Sequence, residues 1–238
     1  RSVSYDQYSG RGWRRSSERD EPLAAGAPIA AGGDAPAAAR QVRLGQSVAW
    51  LYDRRATRYT VGRPALFSHD LLVSWRGADD LVGVRGHNFA SHRYTAESTA
   101  AVLDAGLSAA RLEDVPPSLL ARYAAGLDTG ATPSPYAQAR AIETFLHQYP
   151  YSLDVPLPPS DVDVVDYFLF DLQTGFCDYY ASAMVVMARA VGLPARLAAG
   201  FRQQPPDAAG VQTVRQIDAH SWAEGYFAGY GWVEFEPT

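Results

Sequence analysis

The stretch TGFCDYYASAMVVMARAVGLPARLAAGF, residues Thr174 to Phe201, decides the fold and contains the only cysteine of the 238-residue chain. From Cys177 onward apolar residues fall on nearly every face of a helical projection, which predicts a buried helix. Gly192 and Pro194 are typical of a helix C-terminus. Cys177 therefore lies at the N-terminus of a buried helix, where free N–H groups and the helix dipole stabilise a thiolate and a backbone N–H can bind an oxyanion.

After this helix the apolar pattern alternates every second residue, which predicts strands. The three strand-like segments are ARLAAGFR, AHSWAEGYF and GWVEFEP, and the turn AGYG joins the last two into a hairpin. The first strand of the hairpin carries His220, and the second supplies Glu236. A cysteine at a helix start, with a histidine and a carboxylate on adjacent strands, is typical of a thiol acyl transferase. We therefore expect Cys177 to be the nucleophile, His220 its base and Glu236 the group that orients the base.

The segments before the cysteine predict an α+β protein in two parts. SPYAQARAIETFLHQY offers Ser134 as N-cap and Pro135 as first helical residue, and DVVDYFLF predicts a short helix. Further upstream, QVRLGQSVAWLY, RATRYTVG and DLLVSWRG favour short antiparallel strands, and a sandwich is the expected arrangement. Near the N-terminus, SVSYDQY and GWRRSS flank the turn SGRG and predict a linked pair of strands. The pattern changes near Glu113–Ser118, so we expect a β-rich domain at 1–115 and a catalytic domain at 116–238. The Ala, Gly and Pro-rich segment 21–40 is expected to be a flexible loop.

Composition excludes several classes of function. The net charge of −5 gives no basic surface for nucleic acid. One cysteine excludes an internal disulfide framework and a multi-cysteine zinc site. No run reaches the roughly 18 apolar residues that a membrane span needs, and the absence of an initiator Met favours a piece of a longer protein. His87 and His92 have no metal-ligand spacing, so no metal or organic cofactor is expected.

Two blocks of the sequence resemble a known family. GFCDYYASAMVVMARAVGLPARLAAGF and DAHSWAEGYFAGYGWVEFEPT are similar to the transglutaminase-like superfamily, in which Cys, His and Asp occupy three consecutive blocks of a papain-like α+β fold. YDQYSGRGWR and LDVPLPPSDVDVVDYFLF resemble its bacterial, membrane-anchored TgpA-like branch. There the transglutaminase-like domain follows a β-rich segment in an extracytoplasmic region between transmembrane helices. The resemblance is strong over residues 120–238 and weak before them.

The resemblance implies roles for individual residues. Cys177 matches the nucleophile and His220 the base, while Glu236 stands where the family usually has aspartate. Glutamate is one methylene longer, and we expect its carboxylate still to bond the histidine. The second oxyanion donor is not identified by the resemblance. Gln173 and Tyr167 are candidates from their closeness in sequence, and Trp222 is a candidate wall of the substrate groove.

Two functions follow from these observations. In the first, the chain is an enzyme that forms a thioester from a protein or peptide amide of the cell envelope, and an amine or water resolves it, as in transglutaminases or cysteine peptidases. In the second, it is a non-catalytic transglutaminase-like module that binds an envelope partner, and the glutamate in place of aspartate favours this alternative. In either case the resemblance implies an extracytoplasmic domain, periplasmic or extracellular, of a membrane-anchored bacterial protein.

Overall fold

The structure, a computed structural model, describes residues 3–30, 41–49, 57–77, 80–86, 93–104, 106–107, 110 and 134–238. The strands in these ranges are β1 (Val3–Tyr5), β2 (Gln7–Tyr8), β3 (Trp13–Arg14), β4 (Arg19–Leu23), β5 (Gln41–Ala49), β6 (Arg63–Phe67), β7 (Leu71–Arg76), β8 (Asp80–Gly86), β9 (Arg93–Ala101), β10 (Ala195–Phe201), β11 (Ala219–Phe227) and β12 (Gly231–Phe235). The helices are α1 (Pro135–Leu146), α2 (Val164–Asp166), which a π-helix continues (Tyr167–Leu172), and α3 (Cys177–Ala190). In this part of the chain no helix is both long and apolar enough to cross a membrane.

The helix starts follow the capping residues in the sequence. The Ser134 side chain accepts a hydrogen bond from the Ala137 N–H, and Pro135 is the first residue of α1, as predicted. Asp163 caps α2 by accepting the N–H groups of Val165 and Asp166. These caps fix the residues at which the two helices that pack beside α3 begin.

A four-stranded antiparallel sheet supports the cysteine-bearing helix. Its order is β1-β10-β11-β12, and β11 and β12 form the predicted hairpin. Helix α3 packs on this sheet through a buried apolar cluster that includes Tyr180, Met184, Ala223 and Phe235. The expected fold class, α+β with a buried cysteine-bearing helix on an antiparallel sheet, is confirmed.

Among the described residues of the upstream half, strands β4 to β9 form two three-stranded antiparallel sheets, ordered β4-β7-β8 and β5-β9-β6. Both contribute to one apolar core, which includes Phe67, Val73, Leu81 and Tyr94. The β-rich, sandwich-like expectation is therefore confirmed. The strand predicted at RATRYTVG is wrong for residues 57–62, which form only an isolated bridge at Thr57. Residues 61–62 form a bend that leads directly into β6, and residues 55–56 of the predicted strand lie outside the described residues.

The segment 21–40, predicted as a flexible loop, begins as a strand. Glu21–Leu23 complete β4, which pairs with β7. Pro22 is tolerated because β4 lies at the edge of its sheet, where a missing N–H costs no ladder bond. Further along, Ile29 is buried and its N–H bonds the Ala65 carbonyl. The loop prediction is wrong for residues 21–23, and its part at 31–40 lies outside the described residues.

The N-terminal residues pack on the cysteine-bearing half. The predicted strand pair is confirmed as the β2–β3 hairpin. Tyr8 donates a hydrogen bond to Asp163 at 2.8 Å, and the Trp13 indole N–H bonds Ser182 on α3 at 2.9 Å. Strand β1 pairs with β10 inside the sheet of the other half. The division at residue 115 stays a prediction, and the segment 3–14 ties the two halves together.

A buried ion network joins the two halves. Arg196 on β10 contacts Asp80 at 2.6 Å and Glu224 at 2.7 Å, while Arg76 on β7 contacts Asp6 and Asp80. The guanidinium of Arg196 also lies 3.8 Å from the centroid of the Trp232 ring. Buried ions are tolerated only when they are paired. The network therefore sets how the sheet β1-β10-β11-β12 sits against β7 and β8.

Candidate active site

Cys177 is the first residue of α3, and no side chain caps this helix. The preceding residue, Phe176, is extended and makes no capping bond. Gly175 packs so closely on Tyr179 that an added Cβ would lie 3.0 Å from the ring. The parallel bridge between Tyr151 and Gly175, with a Ser152 N–H to Gly175 carbonyl bond of 2.7 Å, holds the chain just before the cysteine. The half-buried thiol therefore sits on a fixed backbone at a helix N-terminus.

His220 lies on β11 beside this helix end, and Glu236 directly follows β12. His220 is the second residue of β11 and is 9% exposed. Its Nε2 lies 2.6 Å from Oε2 of Glu236, so the longer side chain of glutamate reaches the imidazole. Glu236 is positioned by helix α1, since its N–H donates to Glu143 at 2.8 Å and its carbonyl contacts the His147 ring at 2.8 Å. Helix α1 is thus a third element that positions Glu236, whose carboxylate contacts His220.

The Cys177 thiol hydrogen-bonds with His220. Because Glu236 occupies Nε2 of His220, Nδ1 is the ring nitrogen that remains to interact with the sulfur. Burial by itself lowers the pKa of His220, but the hydrogen bonds to Cys177 and Glu236 outweigh it and raise the pKa to about 9. Burial raises the pKa of the Cys177 thiol, yet hydrogen bonds from His220 and Ser221 bring it below its ordinary value. Both shifts favour a thiolate–imidazolium pair at neutral pH.

The pKa of Glu236 moves in the complementary direction. Burial raises it, but the hydrogen bonds from His220 and Thr238 and the nearby charges of His220 and Arg202 hold the pKa below its usual range. An ionised carboxylate next to Nε2 stabilises a protonated ring. All three pKa shifts therefore favour the same charge state, in which Cys177 and Glu236 are ionised and His220 is protonated.

Ser221 and Asp178 are two site residues that sequence reasoning missed as partners. The Ser221 hydroxyl donates to Asp178 Oδ1 at 2.6 Å, and both the hydroxyl and the N–H of Ser221 interact with the Cys177 sulfur. Strand alternation places Ser221 on the opposite face from His220. Both reach the sulfur because the helix end abuts the start of β11. The charge of Asp178 acts the other way and raises the pKa of the thiol.

Tyr151 is a third residue that sequence reasoning missed. Its hydroxyl accepts a hydrogen bond from the Cys177 backbone N–H, and its ring stacks on Tyr180 with a centroid distance of 6.2 Å. Burial and the charge of Cys177 raise the pKa of Tyr151, so the phenol keeps its proton. The only sequence signal is an aromatic residue in a proline-flanked segment, which gives no hint of this contact.

The other candidates occupy different positions. Gln173 is exposed, has a left-handed backbone (φ 49°), and directs its amide at the Leu169 carbonyl. Tyr167 lies in the π-helix, close to Tyr179. Within residues 134–238 the structure shows no hydrogen bond from either side chain to Cys177. Trp222 is 8% exposed and stacks on the His220 ring at 6.4 Å, where it shields one face of the imidazole from water.

Among the described ranges no group of three or more His, Cys, Asp or Glu side chains is arranged to hold a metal ion. His87 and His92 lie outside the described residues.

The sequence of this half matches a protein-family model described as the transglutaminase-like superfamily, over residues 121–237. The match contains all three residues of the Cys177–His220–Glu236 cluster.

Named relatives share the same region. The chain is 39% identical over 111 residues to the uncharacterized protein YebA of Bacillus subtilis. This match covers 43% of this chain and 15% of that protein. The chain is 40% identical over 101 residues to a protein-glutamine gamma-glutamyltransferase of Pseudomonas aeruginosa. This match covers 42% of this chain and 15% of that protein. The matches thus span about one seventh of each relative's length.

A solved structure shares the fold. The crystal structure of the periplasmic domain of TgpA from Pseudomonas aeruginosa superposes with a TM-score of 0.63 and 22% sequence identity, covering 100% of this chain and 80% of that one. The same domain bound to ethylmercury gives a TM-score of 0.55. At this identity the similarity establishes the fold, including the sheet-rich part before the cysteine-bearing half.

Proposed function

We propose that this chain is a cysteine acyltransferase that acts on amides of proteins or peptides outside the cytoplasm. The observation that carries the proposal is the Cys177–His220–Glu236 arrangement, with a 2.6 Å bond between His220 and Glu236 and pKa shifts that favour a thiolate. The name of the Pseudomonas relative makes a glutamine side-chain amide the first substrate to test. The fold shared with a periplasmic domain supports the extracytoplasmic location.

The first step is attack on the amide. The Cys177 thiolate bonds to the carbonyl carbon, and the C=O π electrons move onto oxygen to give a tetrahedral oxyanion. His220 donates its Nδ1 proton to the amide nitrogen, the C–N bond breaks, and ammonia or an amine leaves. A thioester remains on Cys177, and His220 is neutral. Glu236 holds the ring so that Nδ1 faces the reacting atoms.

The second step releases the acyl group. A primary amine or water loses a proton to His220 as it attacks the thioester carbon. The C–S bond then breaks, and the thiolate–imidazolium pair is restored. An amine gives a new amide, and water gives a carboxylate. The same residues therefore support transamidation and hydrolysis.

The oxyanion forms beside the N-terminus of α3. The Cys177 N–H is one donor, and the N-cap residue Phe176 makes no side-chain bond to it. In the free protein the Tyr151 hydroxyl occupies this N–H, so a substrate oxygen must displace it. Because the phenol keeps its proton, the displaced hydroxyl becomes the second donor to the oxyanion. Tyr151 takes the role for which Gln173 and Tyr167 were candidates.

The experiment uses dimethylated casein as acyl donor and a fluorescent primary amine as acceptor. Amine incorporation and ammonia release are followed together, because incorporation measures transamidation and excess ammonia measures hydrolysis. Cys177→Ala is expected to abolish both without changing the thermal unfolding midpoint. Cys177→Ser keeps the size of the side chain and serves as a second variant. Absence of both products, together with a Cys177 of ordinary reactivity, would favour the binding-module alternative.

A further inference from the structure

Tyr59 of the upstream half contacts the strand that lies beside the catalytic histidine. The centroid of its ring lies 5.2 Å from the centroid of the Phe201 ring, in an edge-to-face arrangement. Phe201 is the last residue of β10 and pairs with Ala219 at the start of β11. The residue before it, Gly200, pairs with His220. The contact therefore joins the upstream half to the point at which β11 presents His220.

The backbone of Tyr59 is held by one buried hydroxyl. The Tyr59 N–H donates to the Tyr94 hydroxyl at 2.9 Å, and the same hydroxyl donates to the Tyr59 carbonyl at 2.9 Å. Tyr94 is 3% exposed and belongs to the apolar core of the upstream half. The preceding residue, Arg58, is also buried, and its N–H bonds the Val84 carbonyl at 2.9 Å. Tyr59 is therefore fixed to the upstream core although it is not part of a strand.

The end of β10 extends past the strand that pairs with its other edge. In the described part of the chain, the β1 ladder covers Leu197–Ala199 and does not reach Phe201. The next residue, Arg202, donates its N–H to the carbonyl of Asp218 at 2.8 Å, just before β11. The charge of Arg202 also acts on Glu236. A shift of Phe201 would therefore move both Arg202 and the start of the strand that carries the catalytic histidine.

Two other contacts between the halves lie at the opposite end of the same sheet. Arg196, near the start of β10, contacts Asp80 at 2.6 Å. Tyr230, in the turn between β11 and β12, donates a hydrogen bond to Asp104. Because β10 and β11 are antiparallel, the start of β10 lies at the end of β11 that is remote from His220. These two contacts join the halves without reaching the strand ends at the active site.

We propose that Tyr59 is a positioning residue for the catalytic centre, which holds the end of β10 and thereby keeps His220 in contact with Cys177. The inference rests on the proposed function and adds a residue of the upstream half to it. Tyr59 acts through Phe201 and not on the reacting atoms. An edge-to-face aromatic pair contributes about 0.5–1.5 kcal/mol beyond the area that it buries. A displacement of about 1 Å in a catalytic group can cost on the order of a hundredfold in rate.

The first readout is the rate of Cys177 labelling by iodoacetamide against pH, which needs no substrate. Burial raises the pKa of the Cys177 thiol, and the hydrogen bond with His220 lowers it. Tyr59→Ala weakens that bond, so the pH of half-maximal labelling should rise by at least about half a unit. The kcat for amine incorporation should fall about tenfold, with KM changed less than about twofold. Tyr59→Phe keeps the ring and should restore both values.

Two tyrosine variants separate this contact from a general loosening between the halves. Tyr94→Phe removes the hydroxyl that holds the Tyr59 backbone and should shift the labelling profile in the same direction as Tyr59→Ala, by a smaller amount. Tyr230→Phe is the matched control, because it also removes a tyrosine hydroxyl that joins the halves, at the remote end of β11. It should leave the labelling profile and kcat unchanged, whatever its effect on the thermal unfolding midpoint.

The route through Phe201 is tested by a double-mutant cycle. Phe201→Ala should shift the profile as Tyr59→Ala does, and the double variant should shift it no further. Additive shifts, an unchanged profile in Tyr59→Ala, or equal shifts in Tyr59→Ala and Tyr230→Phe would each overturn the proposal. Slow wild-type labelling with an ordinary pH dependence would instead contradict the proposed function and this inference with it. A reactive wild-type thiol that Tyr59→Ala leaves unchanged contradicts the inference alone.

Discussion

Replacing Glu236 by glutamine should narrow the pH range of catalysis from both sides. In the wild type the pKa of His220 rises from the ordinary 6.5 to about 9 although burial opposes the rise. At about 1.4 kcal/mol per pKa unit, this favours the imidazolium by about 3 kcal/mol. Cys177 and Glu236 together supply this stabilisation of the imidazolium. An equal division assigns Glu236 about 1.5 kcal/mol, or roughly a tenfold effect on the protonation equilibrium of His220. Glutamine keeps the shape of the side chain and removes its charge.

The sign follows from the two ionisations. The lower limit of reactivity is the pH at which the thiol loses its proton, and a less stable imidazolium raises that pH. The upper limit is the pH at which His220 loses its proton, and this pKa falls in Glu236→Gln. We expect each limit to move by about one pH unit toward the other. The rate of iodoacetamide labelling between pH 4 and pH 10 measures the lower limit, because the thiolate is the reactive form. The dependence of kcat on pH measures the upper limit, because the leaving amine needs the His220 proton.

Two further variants make this test specific. Glu236→Asp places the usual family residue at this position and should keep a wide range if the shorter side chain still reaches Nε2. Glu234→Gln removes an exposed carboxylate from β12 and is the matched control, which should leave both limits in place. An identical profile in wild type and Glu236→Gln would refute the reasoning, because the 2.6 Å contact would then have no effect on the charge of His220.

Three other changes test separate parts of the structure. Tyr151→Phe removes the second oxyanion donor and should lower kcat about hundredfold with little change in iodoacetamide labelling; a faster enzyme would mean that the hydroxyl only blocks the Cys177 N–H. Ser221→Ala removes a hydrogen bond to the sulfur and should raise the pKa of the thiol, whereas Asp178→Asn removes an opposing charge and should lower it, both read from labelling against pH. Arg196→Ala removes a buried cation from Asp80 and Glu224 and should lower the free energy of unfolding by about 3 to 5 kcal/mol in urea titrations. The exposed pair of Arg43 gives the control, since Arg43→Ala should cost less than about 1 kcal/mol.

The local elements around the cysteine were predictable because their signals lie in short windows. The Ser134 cap, the apolar faces of α3 and the alternation of β11 and β12 depend on neighbours within one or two turns or strands. Each local preference agrees with the final fold. Where local signals conflicted, as with Pro22 in an Ala- and Gly-rich segment, the prediction of a loop was wrong, because pairing with β7 lies outside any local window.

By itself the sequence determined the fold class, the helix that carries Cys177, and the histidine and carboxylate blocks that follow it. Tertiary structure alone decided that β1 joins β10, that Glu143 of α1 and the following residue His147 hold Glu236, and that Tyr151 reaches the Cys177 N–H. Helical and strand periods report which face of an element is buried, but they do not say which distant element covers it. The groups that position the carboxylate and receive the oxyanion come from such distant elements. Only the folded chain brings them to the sulfur.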